Sequence, residues 1–305
     1  MAQKRFATGL LLAVVGAIAF SGKAIIVKLA YRYGVDAVTL IMYRMLFALP
    51  IFAGMAWWAS RGKEALTRND WLGILGLGFT GYYLASFLDF AGLAYISAAL
   101  ERLILYLNPT LVLILGALLY KKPMTARQIG AMALSYAGIL LVFGHELSIQ
   151  SISTMDNDNT AWGALLVFGS AVSYAIYLSY SGEMVKRLGS LRLVGLATTV
   201  ACLLCIAQFA VLRPLSAMAV APQVIWLSLL NATLCTALPV LAVMMAIERV
   251  GAPLAAQTGM IGPLSTILMG VFILGEPLNS WIIAGTVLVL AGVYLVSRSR
   301  PMGAD

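Results

Sequence analysis

The sequence predicts an all-α membrane protein, with ten transmembrane helices forming two five-helix inverted-topology repeats around a central cavity. Three observations lead there. Of 305 residues, 62% are hydrophobic and 10% charged, with a mean hydropathy of +0.95, which leaves too little charge for a soluble domain. The apolar residues fall in ten runs near the ~20-residue length that crosses a bilayer as a helix. These are 8–30, 37–59, 71–93, 97–120, 126–144, 161–182, 192–212, 223–247, 253–275 and 280–298. The chain is also self-similar. Shifted by 154 residues, Pro109 meets Pro263, Gly116 meets Gly270, Pro123 meets Pro277 and Gly138 meets Gly292.

Each run is expected to be helical, because only helices and closed barrels satisfy their backbone in lipid and none shows the alternation of barrel strands. At the start, Lys4-Arg5, an apolar stretch and "AFSGKA" have the look of a secretory signal. However, "TGLLLAVVGAIAFSGK" (8–23) has a full-length counterpart in "WGALLVFGSAVSYAIY" (162–177), so a retained first helix is expected. The third and eighth runs align after one extra residue, which places Trp71 on Trp226. The chain therefore divides into a first repeat (1–146), an outer linker (147–160) and a second repeat (161–305), all within one transmembrane domain. Homologous halves with an odd number of helices must lie in opposite orientations.

That inversion accounts for two phrases of one shape and opposite charge, "LLYKKPMT" (118–125) and "FILGEPLN" (272–279). Positive residues stay on the cytoplasmic side of short loops, so Lys121-Lys122 is expected inside and Glu276 outside. Most of the 20 Lys and Arg residues, among them Lys4, Arg5, Arg61, Lys63 and Arg298, then fall on the cytoplasmic side with both termini. The net charge of +8 is thus a topology signal of a multi-pass protein of the cytoplasmic (inner) membrane, with no nucleic-acid partner. Trp57, Trp58, Trp71, Trp162, Trp226 and Trp281 stand near run ends, as interfacial belts require.

Most enzyme classes are excluded. Metal chemistry needs clustered His, Cys or carboxylates, yet the one histidine, His145, falls in an outer loop, and no cofactor is expected. Cys202-x-x-Cys205 lies within an apolar run, where helix packing is the expected role.

Ionisable residues at bilayer depth are costly, and each is a functional candidate. There are five, Lys23, Arg44, Asp89, Glu101 and Arg102. At ~1.5 Å rise per residue, Arg44 lies about 12 Å below its outer helix end, Lys23 and Asp89 about 10 Å, and Glu101 and Arg102 roughly 6–8 Å. The surplus positive charge could hold a carboxylate. Glu101 and Arg102 are also shallow enough to snorkel, Arg44 could anchor helix two through Asp89 or Glu101, and Asp89 and Glu101 could take a coupling proton. Around them, Gly16, Phe20, Lys23 and Val27 share one helical face, and their repeat partners are Ser170, Tyr174, Tyr177 and Ser181. Tyr82, Ser86 and Asp89 share a face of helix three, while Glu101 and Asn108 belong to helix four. The simplest arrangement turns all of these toward one cavity at the repeat interface. Pro109 and Pro263, at matched mid-helix positions, are candidate kinks for gating.

Three stretches resemble the EamA-type branch of the drug/metabolite transporter superfamily: "IMYRMLF" (41–47), "AGLAYISAALERLILYLNPTLVLILGALL" (91–119) and "GPLSTILMGVFILGEPLNSWIIAGTVLVLAGVYLV" (262–296). The resemblance covers essentially the whole chain, with Phe20 where the family often has Trp. It implies a secondary transporter of small metabolites, often an exporter of amino acids. In that reading Lys23 or Arg44 would meet a substrate carboxylate and Glu101 or Asp89 its ammonium. The alternatives are a carrier of phosphorylated or nucleotide-linked sugars or of cationic drugs and, outside the carriers, a membrane receptor or structural protein. Long apolar faces on helices five and ten could face lipid or hold a second copy of the chain.

Overall fold

A computed structural model describes residues 2–120, 124–152, 157–250 and 261–298. Lys121-Lys122 and Pro123 lie outside the described residues. The elements are α1 (Ala2–Tyr31), α2 (Ala37–Ser60), α3 (Arg68–Leu77), α4 (Ala85–Leu93), α5 (Ala98–Leu105), α6 (Asn108–Tyr120), α7 (Ala126–Ile152) and α8 (Asn157–Leu188). They continue with α9 (Ser190–Leu212), α10 (Pro222–Ala232), α11 (Leu238–Val250), α12 (Ile261–Met269) and α13 (Ser280–Arg298). No strand occurs among the described residues. Among the described residues, eight helical stretches are long and apolar enough to cross a membrane, and two shorter apolar ones, Ile261–Leu274 and Ser280–Leu295, take the ninth and tenth places. The expected start of the ninth lies among residues 251–260, outside the described ones.

Helix starts follow local chemistry. The Asp36 side chain accepts from the Val38 and Thr39 amides, Thr67 and Asp70 form a capping box, and the Ser97 hydroxyl accepts from the Leu100 amide. Gly189, at φ +83°, makes the turn between α8 and α9 in a conformation that a side chain would strain. Helices five and six run past their expected ends into the 147–160 linker, since "HELSIQSI" (145–152) is polar but has no Pro or Gly to stop a helix.

The third stretch is not uniform. A π-helical segment, Gly78–Leu84, joins α3 to α4, and another, Thr233–Ala237, joins α10 to α11. The offset that sets Trp71 on Trp226 also sets Gly78 on Thr233, so both halves have the irregularity at the same place. In helix four the structure replaces the expected mid-helix kink with a break: α5 ends at Leu105, Tyr106–Leu107 form a turn, and Pro109 sits exposed in the first turn of α6. Pro109 has no N–H to give the Leu105 carbonyl, so the ladder restarts instead of continuing. Its counterpart Pro263 is buried in the first described turn of α12.

The packing is two-fold in pattern. α1 packs along α11 and α4 along α8, and exchanging the two halves turns one pair into the other. α2 packs on α9 and α7 on α13, pairs that map onto themselves. The α7–α13 crossing repeats down to single residues. A Cβ on Gly138 would come 2.6 Å from the Gly285 carbonyl oxygen, and one on Gly292 would come 2.5 Å from that of Ala131, the repeat mate of Gly285. Small residues let backbones approach where lipid offers no hydrophobic drive. The outside is correspondingly apolar, with Leu118, Val211 and Phe272 exposed along with all six tryptophans.

Gly138→Ala should lower the thermal unfolding temperature of the detergent-purified chain. Gly130→Ala, on the same helix with nothing within 4 Å of its Cβ position, should leave it unchanged or raise it, because Ala is favoured over Gly by ~0.5–1 kcal/mol in a helix. Equal shifts from the two variants would contradict this packing.

Candidate functional site

Three stretches converge on one ammonium group. Lys23 on α1 places Nζ 2.5 Å from Asp89 Oδ2 on α4 and 3.5 Å from Glu101 Oε1 on α5. The connection from Leu93 to Ala98 is short enough to fold α5 back beside α4, and this brings the two carboxylates together. Lys23 is 7% exposed, Asp89 1% and Glu101 0%. Burying such ions costs several kcal/mol each, repaid only by close pairing.

Two further cations lie beside this group with no carboxylate bound to either among the described ion pairs. Arg102 is 6% exposed; its Nη2 donates to Ser21 Oγ at 3.0 Å, and its Nε has no hydrogen-bond partner. Its guanidinium carbon stands 5.1 Å from the Phe20 ring and 5.8 Å from the Tyr106 ring. Arg44 is equally buried. Its Nε donates to Thr236 Oγ1 in the second π segment at 3.2 Å, its head lies 5.1 Å from the Phe90 ring, and Nη1 has no partner. Glu101 and Arg102 therefore do not snorkel: α5 is covered by α8, α12 and α1, and both side chains turn inward. Nor does Arg44 anchor helix two through Asp89 or Glu101, since Thr236 takes that place. These charges are enclosed instead of lining an open cavity.

The tyrosines form a second group. The Tyr82 and Tyr177 hydroxyls are 3.3 Å apart, their rings meet edge to face at 5.2 Å, and Tyr174 stacks on Tyr177 at 5.4 Å. Gly81 makes the room, since any Cβ there would run into the Tyr177 ring. Among the described contacts these tyrosines meet one another, not Lys23 or its carboxylates. From α8, Ser173 donates to Thr80 O in the first π segment and Ser170 to Ala85 O at the start of α4, each at 2.7 Å. Ser86 is half-buried one turn before Asp89, and Asn108 opens α6 with a buried Oδ1 that has no partner. Cys202 and Cys205 are buried, with Cys202 Sγ 3.7 Å from Met45 Sδ, as a packing role requires.

Beyond the charges, toward the end of α1, a second polar layer ties the halves together. Glu276 Oε1 accepts from the Ala98 amide at 3.0 Å, capping α5, and lies 3.5 Å from Lys28 Nζ. Lys28 also donates to Ile96 O, Tyr31 to Phe90 O and Arg32 to Leu274 O. A hollow of about 330 Å³ is lined there by Lys28, Tyr31, Arg32, Leu274 and Glu276. Sequence reasoning missed Ser21, Thr236, Tyr106 and Gly262 as neighbours of the charges. The repeat held one clue, since Gly262 is the mate of Asn108.

Lys23→Met would leave two buried carboxylates facing each other, and removing one partner of a buried ion pair costs ~3–5 kcal/mol. The unfolding temperature should fall sharply in Lys23→Met and recover in part in Lys23→Met/Asp89→Asn. A double variant no more stable than the single would show that the pair is not the cause.

Known proteins place this architecture. The EamA-like transporter family matches residues 7–144 and 161–298. Uncharacterized transporter YcbK of Bacillus subtilis (strain 168) is 27% identical over 282 residues, covering 90% of this chain and 87% of its own length. An uncharacterized transporter of Archaeoglobus fulgidus is 23% identical over 296 residues, covering 96% and 98%. The WAT1-related protein At1g68170 of Arabidopsis thaliana is 26% identical over 315 residues, covering 93% and 87%. A solved crystal structure superposes with a TM-score of 0.62 at 15% identity across 94% of this chain and 96% of that one, a likeness of fold. A two-fold helical membrane bundle with charges buried between its halves is thus matched along nearly its whole length, and the chain belongs to the EamA-like transporter family.

Proposed function

We propose that this transporter exports small zwitterionic metabolites, amino acids first, across the cytoplasmic membrane by alternating access of two inverted five-helix halves, with both termini cytoplasmic. The observation that carries the reading is the enclosed group Lys23, Asp89, Glu101, Arg102 and Arg44, where helices of both halves meet. A carrier can keep such groups because its ligand exchanges with them. A substrate ammonium would take the place of Lys23 on Glu101 or Asp89. Tyr82, Tyr174 and Tyr177, with Ser86 and Asn108, supply walls and hydroxyls along the route, and the break before Pro109, matched by Pro263, is where helices four and nine would flex. Asp89 and Glu101 are the proposed acceptors of a coupling proton. A second reading, transport of phosphorylated or nucleotide-linked sugars, is favoured by the two buried guanidiniums that hold no carboxylate.

Uptake of labelled amino acids into proteoliposomes, with and without a pH gradient, tests the choice. Saturable wild-type uptake should fall by at least about tenfold, the effect of ~1.4 kcal/mol, in Lys23→Ala and in Glu101→Gln at equal protein incorporation. Movement of sugar phosphates or cationic drugs with no amino acid moving would keep the carrier and reject this substrate class.

A further inference from the structure

We infer that Arg102, in the recess formed by Phe20, Ser21, Tyr106 and Gly262, is the subsite for the carboxylate of the transported molecule; this rests on the carrier reading above. Lys23 stands between two carboxylates, whose negative charge opposes the approach of an incoming anion. Within this cluster, Lys23, Arg44 and Arg102 stand against Asp89 and Glu101, which leaves one positive charge uncompensated.

Arg102 fits that surplus better than Arg44. Arg44 is bound through Thr236 and faces Phe90, a fully buried ring, whereas Arg102 faces the exposed Phe20. Arg102 has one neutral oxygen partner, Ser21, which is itself within 2.7 and 2.9 Å of the Ala17 and Gly262 carbonyls. Its Nε is buried and unpartnered, so half of the planar fork that binds a carboxylate is unused.

Two features make the recess a built site. Gly262 lets the Arg102 head and the Tyr106 hydroxyl pack close to its backbone, since a Cβ there would lie 2.9 Å from Arg102 Nη2 and 3.1 Å from the Tyr106 hydroxyl. Phe20 is 41% exposed, yet its ring lies against both Arg102 and Lys23, so it links two buried cations to the protein surface. A zwitterion entering past Phe20 would meet the Arg102 fork with its carboxylate and the Asp89–Glu101 pair with its ammonium. Arg102 thereby becomes the residue that distinguishes amino acids from simple amines.

The test uses the detergent-purified full chain and three molecules sharing one side chain: leucine, 3-methylbutylamine, which lacks the carboxylate, and 4-methylpentanoate, which lacks the amine. Affinities are read from ligand-dependent shifts in unfolding temperature. Arg102→Gln should weaken leucine and 4-methylpentanoate by about tenfold or more, as expected for a lost charge-assisted hydrogen bond, and leave the amine unchanged. Arg102→Lys should restore part of the loss, and Gly262→Ala should weaken the carboxylates with all charges intact. If Arg102→Gln affects amine and carboxylate alike, or neither, the subsite is overturned while the carrier reading stands. Wild-type binding of 4-methylpentanoate without leucine would overturn the amino-acid reading and keep the subsite. Binding of neither carboxylate to wild type would overturn the subsite directly.

Discussion

An ion in the middle of a bilayer cannot remain alone, and in this bundle the Lys23 ammonium is shared by Asp89 and Glu101. Meeting that requirement draws three stretches of the first half into one place. It needs α5 to fold back beside α4 within a few residues, and it needs α1 to run between the halves instead of along the outside. Helices of lipid-like surface have little hydrophobic reason to associate, so a buried ion cluster supplies specificity that greasy packing does not. The Lys28–Glu276 contact and the Glu276 cap on α5 repeat the solution one layer out, where partial exposure makes it less costly.

The scaffold and the chemistry follow different symmetries. Helix pairing, the two π segments and the Gly138 and Gly292 crossings all survive exchange of the halves. The charges do not. At the positions equivalent to Lys23, Asp89, Glu101 and Arg102 the second half has Tyr177, Met244, Ala255 and Ala256. The two-fold frame repeats the packing, while the charged cluster belongs to the first half alone. Irregular backbone is concentrated where the two meet, with the first π segment bonded to α8 through Ser173 and the second presenting Thr236 to Arg44.

Much of this could be read from residues alone, because the bilayer imposes length and polarity directly. Apolar runs marked the helices, the 154-residue offset marked the halves, and the rarity of intramembrane charge singled out the five ionisable residues. Rise per residue placed Glu101 and Arg102 shallow enough to snorkel, but depth says nothing about direction, and both turn inward under α8 and α12. Helix ends near 147–160 were hidden for a related reason: polarity suggested a loop, whereas only the absence of Pro and Gly bore on whether the helix would stop.

The sequence by itself determined that this is a membrane-embedded helical repeat protein and which few residues could carry charge chemistry, since both follow from local cost in lipid. Only the tertiary structure decided who pairs with whom: that Lys23 stands between Asp89 and Glu101, that Arg44 binds Thr236, and that Arg102 keeps an unused donor beside Ser21 and Gly262. Those outcomes depend on contacts between residues separated by 66 to 241 positions, including the 2.9 Å approach of Ser21 to Gly262. Periodicity within one helix has no access to such distances, because a helical face specifies a direction while its partner is set by how the halves fold against each other.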